Sequence, residues 1–250
     1  MLLKRQTLAV IHTNTPLQNV RRLITLSNLA HLRAEIIPQL ISQFETSFSI
    51  KLTDESSKLR DALGQIDARL FQNYVRPTVE SLQATITEGI TSPTWSPTSS
   101  SGRPTDARPY IYTVLLTLVL THTEVSTTSP PLVGRILSYL LEQSSLALIS
   151  AFRTRQRYSL AALMQATLDV EFLAQTLNNY TTDRASEVQS QVYVTLDERT
   201  DDQARERLEK ELPEMRGVLK RLREGTKGEF GCFRRERRGR EGAGRASRGG

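Results

Sequence analysis

The chain has 250 residues, 38% hydrophobic and 24% charged, with one cysteine and a formal net charge of +6, which is room for one or two domains with a sizeable core. The charge is uneven: residues 216–250 hold 12 Lys and Arg against 4 Asp and Glu, a balance of +8, while residues 1–215 hold 21 against 23. A nearly neutral body with a basic tail excludes the charge as a nucleic-acid footprint of the fold, and a lone Cys232 excludes a disulfide framework within the chain and fits a reducing compartment.

The first residues, Met-Leu-Leu-Lys-Arg, lack the long apolar core and small-residue cleavage site of a secretory signal. The longest apolar run, Ile111 to Leu120, contains two threonines and covers ten residues, against the ~20 needed to span a bilayer. The expectation is a soluble chain whose membrane contact is peripheral.

Residues 17–50 read as helix. Leu23, Leu26, Leu29, Leu32, Ile36, Ile37, Leu40 and Phe44 recur at helical steps, and Pro38 predicts a kink or break among them. Thr53-Asp54-Glu55 is a helix start, with Thr53 or Asp54 as cap and acids in the first turn. Leu59, Leu63, Ile66, Leu70, Tyr74, Val79, Leu82, Ile86 and Ile90 continue it, with a bend at Pro77. Residues 91–108 are rich in Ser, Thr and Pro and read as a largely disordered loop whose Ser-Pro and Thr-Pro pairs permit phosphorylation. Trp95 is the exception, expected to be pinned against the helical body.

Pro109 opens the next helix at a favoured first-turn position. Residues 110–126 are rich in Leu, Val and Thr, a composition open to a buried strand, but helical neighbours and the lack of a partner strand favour helix. Ser129-Pro130-Pro131 stops and restarts the chain, with Ser129 as N-cap. Helices follow over 131–154, from Tyr158 to Tyr180, from Thr182-Asp183 toward Leu196, and as a charged amphipathic helix over 199–224. After Gly225 the Arg/Gly-rich chain is expected to be disordered. The organisation is therefore a helical bundle portion over 1–90, a Ser/Pro-rich loop over 91–108, a second helical bundle over 109–224 and a tail over 225–250. Within it, Leu63, Ile66, Leu70, Leu116, Leu140, Phe152, Leu163, Leu168, Phe172 and Leu177 are the expected core.

No catalytic, cofactor or metal constellation is visible. His12, His31 and His122 lack Cys, Asp or Glu at ligand spacing. Asp169 and Glu171 diverge by about 200° on a helix, so they read as surface charge rather than paired carboxylates. No Gly-rich phosphate loop or nucleophile elbow occurs, and Gly64 and Gly134 read as close helix packing or simple tolerance. Arg153, Arg155 and Arg157 end one helix, where cations favour its C-terminus; an acidic partner surface or anionic lipid is the alternative. Neighbouring Arg is expected to lower the Cys232 thiol pKa. In the tail, Arg234, Arg235, Arg237 and Arg238 could contact anionic lipid or RNA. No aromatic follows Phe233, so base stacking lacks support and nucleic acid is the weaker partner.

Four stretches resemble the exocyst component-two family, in its fungal form and its C-terminal portion. They run from Asp61 through Gln-Ile-Asp-Ala-Arg-Leu-Phe-Gln-Asn-Tyr to Thr78, Leu120 through Ser-Pro-Pro to Leu132, Met164 through Asp-Val-Glu-Phe to Leu177, and Leu212 through Met-Arg-Gly-Val to Phe230. The resemblance implies an all-α, elongated helical-bundle rod of the multisubunit vesicle-tethering type. It implies no catalytic site and no cofactor, packing with other exocyst subunits, and a role in holding secretory vesicles at the plasma membrane before fusion. The expected location is cytoplasmic, recruited peripherally to sites of secretion. The family's N-terminal coiled-coil region and the Ral-binding domain of its animal members have no counterpart in this sequence, so the chain reads as a fragment or a truncated gene product. Docking would use helix faces, with Phe71, Tyr74, Trp95 and Arg157 as candidate anchors.

Overall fold

The computed structural model describes residues 16–95 and 103–234. His12, Arg235, Arg237, Arg238 and residues 96–102 of the Ser/Pro loop lie outside the described residues.

Helix α1, Pro16–His31, passes through a π-helical turn, Leu32–Ile36, into α2, Ile37–Phe48. The wide turn is the consequence of Pro38, which has no N–H for the carbonyl four residues back and crowds that carbonyl with its ring. The chain widens just before it: the Ile37 N–H bonds the Leu32 carbonyl, five residues back. The break expected at Pro38 is thus absorbed without interrupting the helical path. Ser49 then takes a left-handed φ of 51° and ends α2.

Helix α3, Thr53–Thr91, has 39 residues and runs through Pro77 without interruption. Its N-cap is Leu52, not Thr53 or Asp54, and the Leu52 N–H is taken by Glu45 Oε1 at 2.7 Å. A side chain from α2 therefore ties the start of α3 to its neighbour. Helix α4, Pro109–Thr128, is the segment whose composition also suited a strand. Its threonines fit a helix because Thr113, Thr117, Thr121, Thr123 and Thr127 each donate to the carbonyl four residues back, at 2.8–3.2 Å.

A 3-10 turn, Pro130–Leu132, leads into α5, Val133–Arg153. Ser129 occupies the N-cap of that turn, but its hydroxyl makes no capping bond. Helices α6 (Leu160–Thr176), α7 (Asp183–Asp197) and α8 (Asp202–Gly225) are capped by Ser159, Thr182 and Asp201, whose side chains accept from the N–H three residues on. A last 3-10 turn spans Gly231–Phe233. The only extended pairing among the described residues is one bridge between Tyr158 and Thr200, so the fold class is all-α.

Helix α3 packs against α1, α4 and α5; α5 carries α7 on its other side; α6 packs on α8. One hydrophobic core joins these helices from Leu23 to Phe233. Pro130–Arg153 is long and apolar enough to cross a membrane by composition, but Ile136, Leu137, Leu140, Leu141, Leu148 and Phe152 are buried against neighbouring helices. Of the expected core, Leu140, Phe152, Leu163, Leu168, Phe172 and Leu177 are buried, and Leu63 and Leu70 are half-buried. Ile66 and Leu116 are 48% and 44% exposed. Each lies on an apolar stripe wider than the face its helix offers to neighbours, a distinction that spacing alone does not carry.

Two segments expected to be disordered are packed in part. At the C-terminal side of the Ser/Pro loop, Pro104 and Ala107 are buried, and Arg103 pairs with Glu211 and Glu214 of α8. Beyond Gly225, Phe230 and Phe233 are 5% and 1% exposed. Phe230 meets Phe172 edge-on, and Phe233 meets Tyr180 and His122. The order therefore continues to Arg234, because two phenylalanines supply apolar area that the Arg/Gly composition conceals.

The loop is anchored from below by Asp169, which is fully buried on α6 and so is not the surface charge its spacing suggested. Its Oδ1 accepts from the Arg108 backbone N–H and from Gln165 Nε2, both at 2.9 Å. Oδ2 has no hydrogen-bond partner. Burial, partly opposed by these donors, raises the Asp169 pKa to about 6 from an ordinary value of 3.8. A raised folded-state pKa means that the native state holds the proton more tightly than the unfolded chain. This contribution to stability is therefore complete below about pH 4 and lost as pH rises toward about 6. Asp169→Asn keeps an acceptor at Oδ1 and removes the titration. Urea unfolding of the two proteins is expected to show the variant gaining on the parent by on the order of 2 kcal/mol between pH 4 and pH 7; parallel pH profiles would contradict it.

Gly89 is the glycine on which close packing depends: a Cβ there would overlap the Tyr110 side chain, where α3 meets α4. Gly134 has open space around it and Gly64 only an ordinary contact with Arg33. Gly89→Ala is expected to destabilise the protein by about 1–3 kcal/mol in denaturant melts despite alanine's better helix propensity.

Candidate docking surface

The candidate anchors occupy different depths. Phe71, 6% exposed on α3, lies under the Arg135 guanidinium of α5 at 4.3 Å and meets Tyr139 edge-on at 5.2 Å. Tyr74, one turn on, is 4% exposed, and its hydroxyl donates to Glu124 of α4 at 3.4 Å. Burial and this carboxylate push the Tyr74 pKa well up, and burial also raises that of Glu124. Trp95 is 2% exposed, packed against Phe152 and Tyr158 with Arg155 over its ring at 4.6 Å. It is thus pinned to the helical body as its apolar character predicts. Three of the four side chains lie inside the chain's own core, and side chains so placed act on a partner only by shaping the helix faces around them. Arg157 is exposed in the turn between α5 and α6.

The arginine cluster at the end of α5 divides its work. Arg155 does not cap its own helix. Its Nη2 donates to the Ile90 carbonyl at 2.7 Å and to Ser92 at 3.4 Å, with Nε also directed at Ile90. It thereby satisfies the open C-terminal carbonyls of α3 while stacking on Trp95. The spacing of Arg153, Arg155 and Arg157 signals a helix end but not which helix end receives the cation.

Asp67 is a second junction that motif reading passes over. Its carboxylate, 8% exposed, takes a two-pronged bond from Arg135 at 3.0 and 2.6 Å and faces Arg33 at 3.4 Å. One anion thus ties α3 to α5 and to the π-turn after α1. The described residues contain no group of three His, Cys, Asp or Glu side chains able to hold a metal ion. His31 sits 3.3 Å from Glu35 on the surface. His122 packs edge-on to Phe233, and burial pushes its pKa down. Burial likewise raises the Cys232 thiol pKa, opposite to the shift expected from nearby arginines.

The uncovered apolar surface is elsewhere, on α2 and the first turns of α3. No residue of α2 is buried. Leu40, Phe44 and Phe48 follow one another at four-residue steps and are 55%, 45% and 63% exposed, with the two phenylalanine rings 4.6 Å apart. Ile50 in the turn and Leu59 at the start of α3 are exposed as well, at 46% and 38%. Periodicity alone marks Leu40 and Phe44 as apolar-stripe residues; that no helix among the described residues covers them is a tertiary fact. Exposed large apolar side chains grouped on one helix in this way characterise interaction sites. The Asp67 junction holds the base of this hairpin, so Asp67→Ala is expected to lower stability by about 1–3 kcal/mol in thermal or urea melts, with Asp67→Glu recovering part of the loss.

Comparison with known proteins places the sequence in a family. The family model described as "Exocyst complex component Sec5" matches residues 3–233. Human exocyst complex component 2 is 29% identical over 177 residues, and the mouse protein 28% over 177; each alignment covers 69% of this chain and 19% of the relative. The chain thus spans about a fifth of the length of these curated relatives. No solved structure matches. With nearly its whole described length inside the family match, the chain belongs to the Sec5 family of exocyst complex components.

Proposed function

We propose that the chain is a structural part of an exocyst subunit that helps hold secretory vesicles at the plasma membrane before fusion. It acts by docking helix faces to other exocyst components, in the cytoplasm and at sites of secretion, and carries out no chemistry of its own. The observation that supports docking is the uncovered face of Leu40, Phe44, Phe48, Ile50 and Leu59. Such side chains gain about 25 cal/mol for each Å² of apolar area removed from water, and aromatic anchors concentrate that gain. Arg157 adds an exposed cation able to meet a carboxylate on the partner.

A second reading rests on the excess of cations at the C-terminal end: peripheral contact of Arg234, Arg235, Arg237 and Arg238 with anionic lipid. Arg234, the described member of this group, is exposed.

The docking reading is tested by co-purification of the tagged chain with the other exocyst components. Phe44→Ser with Phe48→Ser is expected to reduce recovery at least tenfold while the thermal midpoint stays within a few degrees of the parent, because neither ring is buried. Recovery of no exocyst component by the folded parent chain would overturn docking.

A further inference from the structure

Helix α8 is divided electrically along its length. Toward its N-terminal end, charges are partly paired: Arg205 with Asp197 and Asp202, and Glu211 and Glu214 with Arg103. From Arg216 onward the pattern reverses. Arg216, Lys220, Arg221, Arg223, Lys227 and Arg234 are all exposed, against two carboxylates, Glu224 and Glu229, and none of the six makes an ion pair among the described residues. Arg223 Nη1 is held by the neutral Gln175 side chain at 3.0 Å, and Arg234 Nη2 by the Arg223 carbonyl at 3.4 Å, so both keep their full charge.

At about 100° per residue, Arg216, Lys220 and Arg223 fall within roughly 60° of arc. The stripe borders the buried edge of Met215 and Leu219, so the helix is held down on one side and presents cations beside it. Attraction between cations and a helix C-terminus falls off within the last turn. It accounts for Arg223 and leaves Arg216 and Lys220 without an internal purpose. The packing of Phe230 and Phe233 folds the chain back so that Arg234 reaches the end of α8.

We propose that this face, the C-terminal half of α8 together with the Gly231–Phe233 turn, is a folded platform for an anionic lipid bilayer. The proposal rests on the peripheral-contact reading above and places the primary contact on the folded helix, with the tail adding to it. A bilayer fits better than RNA because the two aromatic rings in this region are buried and residues 235–250 contain none, leaving nothing for bases to stack on. With no exposed large apolar side chain on this half of α8, binding is electrostatic, graded with lipid charge and reversed by salt.

The test is sedimentation of the full chain with phosphatidylcholine vesicles, with and without phosphatidylserine. It compares the parent, a face variant (Arg216→Gln, Lys220→Gln, Lys227→Gln) and a tail variant (Arg235→Gln, Arg237→Gln, Arg238→Gln). Arg216, Lys220 and Lys227 are exposed, and circular dichroism checks that each variant keeps the fold. The parent is expected to bind only phosphatidylserine vesicles and to release in high salt. The face variant is expected to bind at least tenfold more weakly, since each cation near an anionic surface is worth about fivefold; the tail variant is expected to lose less. Absence of parent binding overturns both the platform and the peripheral-contact reading. Equal binding by parent and face variant overturns the platform and leaves the tail. Tighter parent binding to single-stranded RNA than to the charged vesicles at equal salt overturns the choice of lipid.

Discussion

The seam between α3 and α5 is the constraint on which the rest of the structure depends. Helix α5 buries residues nearly all round, from Ile136 to Phe152, so it requires cover on more than one side. Helix α3 supplies one side through Phe71, Val75, Leu82 and Ile86, and α7 supplies another. Burial of this area is the main favourable term, and it fixes where α1, α4 and α6 can add. The seam also has an end. In the first turns of α3 no residue is buried before Asp67, and there the chain presents its apolar side chains outward.

Polar interactions do not supply that driving force; they hold its parts in position. Asp67 ties α3 to α5 and the π-turn, Arg155 closes the C-terminus of α3 over Trp95, and Asp169 fastens the loop before α4. Each is a charge with hydrogen-bond partners, which is the condition for keeping it at low exposure. Asp169 meets the condition least fully, because one of its oxygens has no partner, and its burial raises its pKa despite the donors it keeps.

Charge is distributed along the chain with a similar economy. The body is nearly balanced, and toward the N-terminal end of α8 part of the charge is paired within the fold. The excess begins at Arg216, inside a helix and well before the Arg/Gly-rich residues. The high overall basicity is therefore in part a property of a folded surface. The apolar hairpin of α2 and the cationic end of α8 are two chemically different faces on one bundle, suited to different neighbours.

Much of the helical plan was legible in the sequence. Thr182-Asp183 as a helix start, Pro109 at a first turn and the apolar spacing through α5 and α6 locate those helices, since these are local effects of hydrogen bonding and sterics. The anchoring of Trp95 was legible too, because a large apolar ring in a polar loop has one favourable place to go. What spacing could not decide was which apolar stripe finds a partner. Phe71 and Tyr74 turn inward, while Ile66, Leu116, Phe44 and Phe48 remain exposed, because cover comes from helices far away in the chain. The target of Arg155, the burial of Asp169, the overlap that a side chain at Gly89 would meet and the order of residues 226–234 were likewise set by tertiary contact. The amino-acid sequence by itself determined the helices and the position of charge; only the tertiary structure decided which faces are covered, because burial depends on neighbours that local chemistry does not specify.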